Sequence, residues 1–165
     1  KTRQVVIEPN PKEYINLKKN REENGLKFHI ETSVISDVPL YVKDWYSYKN
    51  EIPGSQKVDH ISYQELKKKY NMDFNVLIID NEGNFIDNLK NEPDILNGIR
   101  LLIIEHDFNT EDDYSLFKQI LQERGFHNID NYFKHDMYAP GINWPDGLKS
   151  DPIFVSAWSY QDLTN

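Results

Sequence analysis

The stretch Val76–Phe85 reads V-L-I-I-D-N-E-G-N-F. Four apolar residues run without a break into Asp80, and Glu82 and Gly83 follow at once. An uninterrupted apolar run of this length is the pattern of a parallel strand buried on both faces. Open α/β sheets bind ligands just beyond the carboxyl ends of such strands. The stretch therefore predicts an α/β fold and puts Asp80 and Glu82 where chemistry or ligand binding is expected.

The flanking sequence supplies the rest of an α/β order. Gln4–Ile7 reads as a short strand ending at Glu8. Asn10 is a candidate N-cap, Pro11 suits the first helical position, and Glu13 completes a capping box, which predicts a helix to about Glu23. Tyr14, Ile15 and Leu17 form its expected buried side. Lys27–Ile35 reads as a second strand ending at Ser36-Asp37, and Leu40–Tyr48 as a hairpin extension. Glu51–Lys57, with Pro53 and Gly54, reads as loop. Val58–Ile61 is a candidate edge strand. Ser62 and Glu65 form another capping box, opening a helix to about Tyr70. After the Val76–Asp80 strand a weaker helical stretch runs to about Asn97, interrupted near Pro93. Arg100–Ile104 is a second continuous apolar strand, ending in Glu105-His106. Thr110 caps a helix whose apolar stripe is Leu116, Phe117, Ile120 and Leu121, and Gly125 stops it. Phe126–Phe133 and Ile153–Trp158 read as a final strand pair, joined by a loop over Met137–Pro152. The expected result is one domain over residues 1–165 with right-handed crossovers.

Composition narrows the function classes. The net charge of -8 and the lack of a basic stripe argue against nucleic acid as a partner. With no cysteine there are no disulfides, thiolate metal sites or cysteine nucleophiles, which fits a reducing, cytoplasmic compartment. No apolar run is long enough to span a bilayer, so no membrane partner is expected. The five histidines show no pair at helical ligand spacing, and no metal site is expected. The chain begins at Lys1, almost inside a strand, which reads as a fragment or a processed chain.

Four expected strands end in acid, at Glu8, Asp37, Asp80 and Glu105. Carboxylates at the carboxyl edge of one sheet converge, and a carboxylate can accept two ribose hydroxyl hydrogen bonds. The competing reading is that each acid caps the next helix or faces water.

Several segments carry a resemblance. V-V-I-E-P-N-P at Val5–Pro11, Asn20, Asn24-Gly25, V-I-S-D at Val34–Asp37, V-D-H-I-S-Y-Q-E-L at Val58–Leu66, I-I-D-N-E-G at Ile78–Gly83 and L-I-I-E-H at Leu102–His106 are similar, in order and spacing, to FkbM-type methyltransferases. The resemblance implies a Rossmann-like methyltransferase sheet, mostly parallel with a terminal antiparallel strand and helices on both faces. It implies S-adenosylmethionine as cofactor and a small-molecule or sugar hydroxyl as methyl acceptor. Under it, Glu8 binds the cofactor ribose, Ser36 and Asp37 lie near the adenine, and Asp80, Glu82 and Gly83 stand at the cofactor–substrate junction. One of Asp80, Glu82 and His106 takes the hydroxyl proton.

Two positions depart from the family pattern. Ile78 stands where a lysine is usual, and Phe85 where a further acid is usual. The family's opening strand and glycine-rich turn have no counterpart, which implies truncation at the N-terminus and weakened cofactor binding. That strand would lie between those ending at Glu8 and Asp80, which are expected either to pair directly or to receive another chain in a homo-oligomer. Two other readings compete. D-N-E-G after an apolar strand resembles the D-x-D-G of magnesium-dependent, haloacid-dehalogenase-like phosphatases. A tail carrying Tyr132, Phe133, Tyr138, Trp144, Trp158 and Tyr160 fits a non-catalytic binding or oligomerising module, although such aromatics are more often core.

Overall fold

The computed structural model describes residues 3–108, 110–133 and 153–160. It has α/β character, with four α-helices and several small sheets. The chain forms two compact units. One holds Lys1–Asp73 with Asp87–Ile95, the other Phe74–Ile86 with Leu96–Asn165.

The first unit opens with a βαβ motif. β1 (Val5–Ile7) and β2 (His29–Glu31) pair in parallel, and α1 (Pro11–Glu23) connects them. Asn10 caps α1 by accepting from the Lys12 N–H at 3.0 Å. The second bond expected of a capping box comes from upstream: the Asn10 N–H donates to Glu8 Oε1 at 2.8 Å, while Glu13 accepts from the Asn16 amide at 3.3 Å. The expected apolar side is not buried. No α1 residue is buried, and Ile15 is 64% exposed. Tyr14, Ile15 and Leu17 are too few among charged neighbours to make a core-facing stripe.

The expected strand Lys27–Ile35 divides at Thr32-Ser33. Its second part, β3 (Val34–Ile35), pairs in parallel with β7 (His60–Ile61). β4 (Leu40–Lys43), β5 (Tyr46–Tyr48) and β6 (Gln56–Val58) form a three-stranded antiparallel sheet in the order β5-β4-β6. Val34, Val42 and Val58 are buried together, with Leu40 against them. The helix α2 (Tyr63–Tyr70) has the full capping box foreseen from Ser62 and Glu65, and Asn71 ends it in the left-handed conformation. From its last turn Lys69 Nζ meets the buried Glu31 carboxylate at 2.7 Å, and the Tyr70 hydroxyl donates to the same oxygen at 3.2 Å. Burial pushes the Glu31 carboxyl up, but Lys69 and the Ser33 N–H outweigh it and hold it below the usual range.

The second unit holds a four-stranded sheet in the order β10-β11-β9-β8. β8 is Val76–Ile79, β9 Leu101–Glu105, β10 His127–Phe133 and β11 Ile153–Ser159. β8 and β9 are parallel, and β11 runs antiparallel to both β9 and β10. The helix α3 (Phe85–Asn91) begins in this unit and ends in the other, and α4 (Glu111–Glu123) joins β9 to β10. Register puts Leu77, Ile79, Leu102, Ile104 and Trp158 on one face. The α4 residues Phe117 and Leu121, spaced one turn apart, are fully buried, and the Phe117 ring meets Trp158 edge-on at 5.7 Å. Burying each such side chain contributes about 2 kcal/mol, and the edge-to-face pair adds to it.

Two features correct the opening reading. β8 is parallel, but it is the terminal strand of its sheet and not buried on both faces: Val76 is 44% and Ile78 72% exposed. β1 and β8 do not pair; each ends its own sheet. The single mostly parallel sheet expected from the strand-end acids is thus replaced by small separate ones. Phe85, standing where an acid was anticipated, is a core residue that meets the Phe117 ring at 6.5 Å. Of the aromatic tail, Trp158 is buried and Tyr160 half exposed, while Tyr138, Trp144 and the whole Met137–Pro152 loop lie outside the described residues.

Candidate functional site

In-register parallel pairing carries Asp80 and Glu105 to the same sheet edge. Ile79 pairs with Ile104, so the next residue of each strand is an acid, one strand spacing apart. Asp107, two residues beyond Glu105, completes a group. Asp80, Glu105 and Asp107 each offer an oxygen within 4.8 Å of the others. Hard divalent cations take carboxylate oxygens from sets of this kind, and exposed acids also gather without an ion.

The turn after β8 aims Glu82 back at this group. The Asn84 N–H donates to the Asn81 carbonyl at 3.1 Å, closing a tight turn. Its two central residues both have positive φ, 52° at Glu82 and 80° at Gly83. Turns with both central residues left-handed favour Gly, Asn and Asp. Glycine at position 83 meets that demand, whereas Glu82 carries backbone strain on the order of 1 kcal/mol. Gly83 is also the one glycine among the described residues placed between a strand and the helix that follows it.

Electrostatics follow from the crowding. Burial, a hydrogen bond with Asp80 and the charges of Asp107, Asp80 and Glu82 push the Glu105 carboxyl up to about 7. Burial and the charges of Asp107 and Asp80 raise Glu82 as well. Near neutral pH Glu105 is therefore only partly ionised, and in its protonated form it shares a hydrogen bond with Asp80.

His106 is not part of this group. Its Nε2 lies 2.6 Å from Ser156 Oγ, and its ring sits among Phe108, Tyr114 and Phe117. Ser156 is buried and accepts from Trp158 Nε1 at 2.7 Å, and the direction of its bond with His106 follows the imidazole tautomer. Burial, with Lys118 nearby, lowers His106 to about 4, so the imidazole is neutral at pH 7 and its Nε2 is engaged with Ser156.

The remaining expected site residues belong to the first unit. Glu8 receives the Asn10 N–H at the start of α1. Ser36 Oγ accepts from the Val38 N–H at 3.2 Å, and Asp37 is exposed. β1 and β3, which precede them, lie in different sheets. Of the four strand-end acids, then, Asp80 and Glu105 meet, and Glu8 and Asp37 serve local turns or face water. Asp107 was not singled out from the sequence. The only signal for it is a second acid two residues past a strand end, in the run E-H-D.

No family model, curated protein or solved structure matches the chain.

Proposed function

We propose that the chain carries a methyltransferase-like site for S-adenosylmethionine-dependent transfer to a hydroxyl oxygen of a small molecule or sugar. The observation that supports it most is the Asp80–Glu105 pair at the carboxyl end of two parallel strands, with Glu105 titrating near 7. A general base works best when its pKa lies near the working pH. In this reading ionised Glu105 accepts the proton released by the acceptor hydroxyl, and burial, with the hydrogen bond to Asp80 and the charges of Asp107, Asp80 and Glu82, holds it at that pKa. His106 has no part in it.

The cofactor supplies a methyl group on a sulfonium cation. The four carboxyl groups of Asp80, Glu82, Glu105 and Asp107 suit a cation, and Gly83 allows close backbone approach at the strand–helix turn. The reading rests on the second unit alone. Its sheet, a parallel pair followed by antiparallel strands, is in keeping with the mostly parallel sheet and terminal antiparallel strand of the resemblance.

Calorimetric titration with S-adenosylmethionine tests the reading. Binding is expected to be weak, with a dissociation constant on the order of 100 μM, and to be lost in Asp80→Asn. Absence of heat at millimolar cofactor would overturn it. One observation favours a second reading, a non-catalytic binding or oligomerising module: Ile78 stands 72% exposed on a terminal strand. Light scattering showing a strict monomer at high concentration would count against that module.

A further inference from the structure

At the opposite end of β9 from Glu105 lies a cleft of about 760 Å³, lined by the loop Leu96–Arg100, the end of α4, Phe126 and Tyr160. Its volume falls within the range of small-molecule sites. The chain has four arginines in all, and two of them, Arg100 and Arg124, line this one cleft. In a protein of net charge -8 that is a local reversal of sign. Arg100 lies five residue steps along the strand from Glu105, a span of roughly 16 Å, so the cleft is independent of the proposed methyl-transfer site.

The walls are fixed by backbone geometry. Gly125 has φ +81°, and a Cβ there would meet the Tyr160 ring at 3.4 Å, so the ring lies directly over the chain. The same ring meets Phe126 edge-on at 5.7 Å, and 47% of Tyr160 remains exposed. The Tyr160 N–H donates to the Arg100 carbonyl at 3.1 Å, which ties the aromatic wall to the first arginine. The second arginine makes a long contact, 3.4 Å, from Arg124 Nη1 to Asn97 Oδ1. At Gly98, φ is +84° and the Phe74 carbonyl oxygen lies 3.7 Å from where a Cβ would be, so the loop turns tightly there. The cleft is thus lined by one flat aromatic wall, by two arginines and by Asn97. Glu123 on the rim adds a negative charge that disfavours a long polyanion.

We propose that this cleft binds a planar aromatic ring bearing one anionic group, a carboxylate or a phosphate, with the ring against Tyr160 and the anion between Arg100 and Arg124. Guanidinium forks match both anions in a bidentate geometry, and they stack on aromatic faces as well.

The test uses the whole chain and four probes: benzoate, phenyl phosphate, inorganic phosphate and benzyl alcohol, each titrated by amide NMR. Either aryl anion is expected to shift the Gly98, Gly125 and Tyr160 amides with a millimolar or tighter dissociation constant. The comparison of benzoate with phenyl phosphate identifies the anion. Arg124→Gln and Arg100→Gln should each weaken binding by about fivefold or more, and Arg124→Lys should restore part of the loss. Tyr160→Leu should weaken the aryl anions while leaving the unfolding midpoint close to that of the parent. Inorganic phosphate or benzyl alcohol binding as tightly as phenyl phosphate would overturn the proposal. So would full affinity in both Arg→Gln variants, or no response to either aryl anion.

Discussion

Glu105 and Asp80 end neighbouring parallel strands and share a hydrogen bond between their carboxyl groups. The bond exists because one of them keeps its proton to near neutrality. The folded chain therefore binds a proton that the unfolded chain releases at the ordinary carboxyl value of 4.5. Stability falls with pH wherever the folded state holds more protons. Across pH 4.5 to 7, Glu105 thus lowers stability as pH rises, and above 7 the loss is complete. Glu105→Gln keeps a donor to Asp80 and removes the charge, so it should be more stable than the parent at pH 8. The gain is about 1 kcal/mol, since solvent reaches and screens the group. Urea unfolding at pH 5 and pH 8 measures it, and the same gain at both values would contradict the shared-proton account.

His106 tilts stability the other way. Its imidazole is held neutral down to about 4, so between 4 and its ordinary 6.5 the unfolded chain binds the extra proton. Stability contributed there rises with pH. The slopes of His106 and Glu105 oppose one another over much of the acid range, so in the parent the two partly cancel. The His106 ring resonances should show no titration above pH 5 by NMR. A midpoint near 6.5 would contradict burial against Ser156.

Ser156 links the buried Trp158 ring and the half-buried His106 ring through one hydroxyl, accepting from Trp158 Nε1–H and bonding with His106 Nε2. Ser156→Ala removes this partner from both rings. The cost is expected at about 2 to 3 kcal/mol, read as a lower denaturant midpoint with an unchanged slope. A loss below about 0.5 kcal/mol would show that water replaces the hydroxyl.

Glu82 is strained by its positive φ and repelled by Asp80 and Asp107. Glu82→Asn relieves both, because asparagine tolerates the left-handed region and carries no charge. A gain of about 1 kcal/mol at pH 7 is expected, together with a lower Glu105 titration midpoint by NMR as one repelling charge leaves. Destabilisation would mean that Glu82 makes a favourable contact.

How much of this was legible in the sequence depends on how local the cause is. Ser62-x-x-Glu65 announced α2 because a capping box is closed within one turn. Phe117 and Leu121 announced the buried side of α4 because helical spacing fixes a face. Asp80 and Glu105 were readable as strand-end acids, since each directly follows its apolar run. Their meeting needed the register of β8 on β9, which no single stretch contains. Asp107 lies past the strand end, where no periodicity applies. Ile15 failed because an apolar residue on a mostly charged helix looks the same whether it faces a core or water. Glu8 and Asp37 share the strand-end pattern of Asp80, yet their short strands belong to other sheets.

The reading that an apolar run is buried on both faces failed at Ile78 for a related reason. The pattern V-L-I-I records that both sets of side chains are apolar, not that both faces are covered. Register decides it: Leu77 and Ile79 share the face of Leu102 and Ile104, while Val76 and Ile78 point the other way on a terminal strand. Ile78→Lys distinguishes the two arrangements. A central strand buried on both faces would lose several kcal/mol on receiving an unpaired charge. At 72% exposure the change should cost less than about 0.5 kcal/mol. A lysine here should also blunt the open edge, as charged side chains do on natural edge strands. Self-association by light scattering should then decrease in Ile78→Lys while the unfolding midpoint holds. A collapse of the midpoint would return β8 to the interior of a larger sheet.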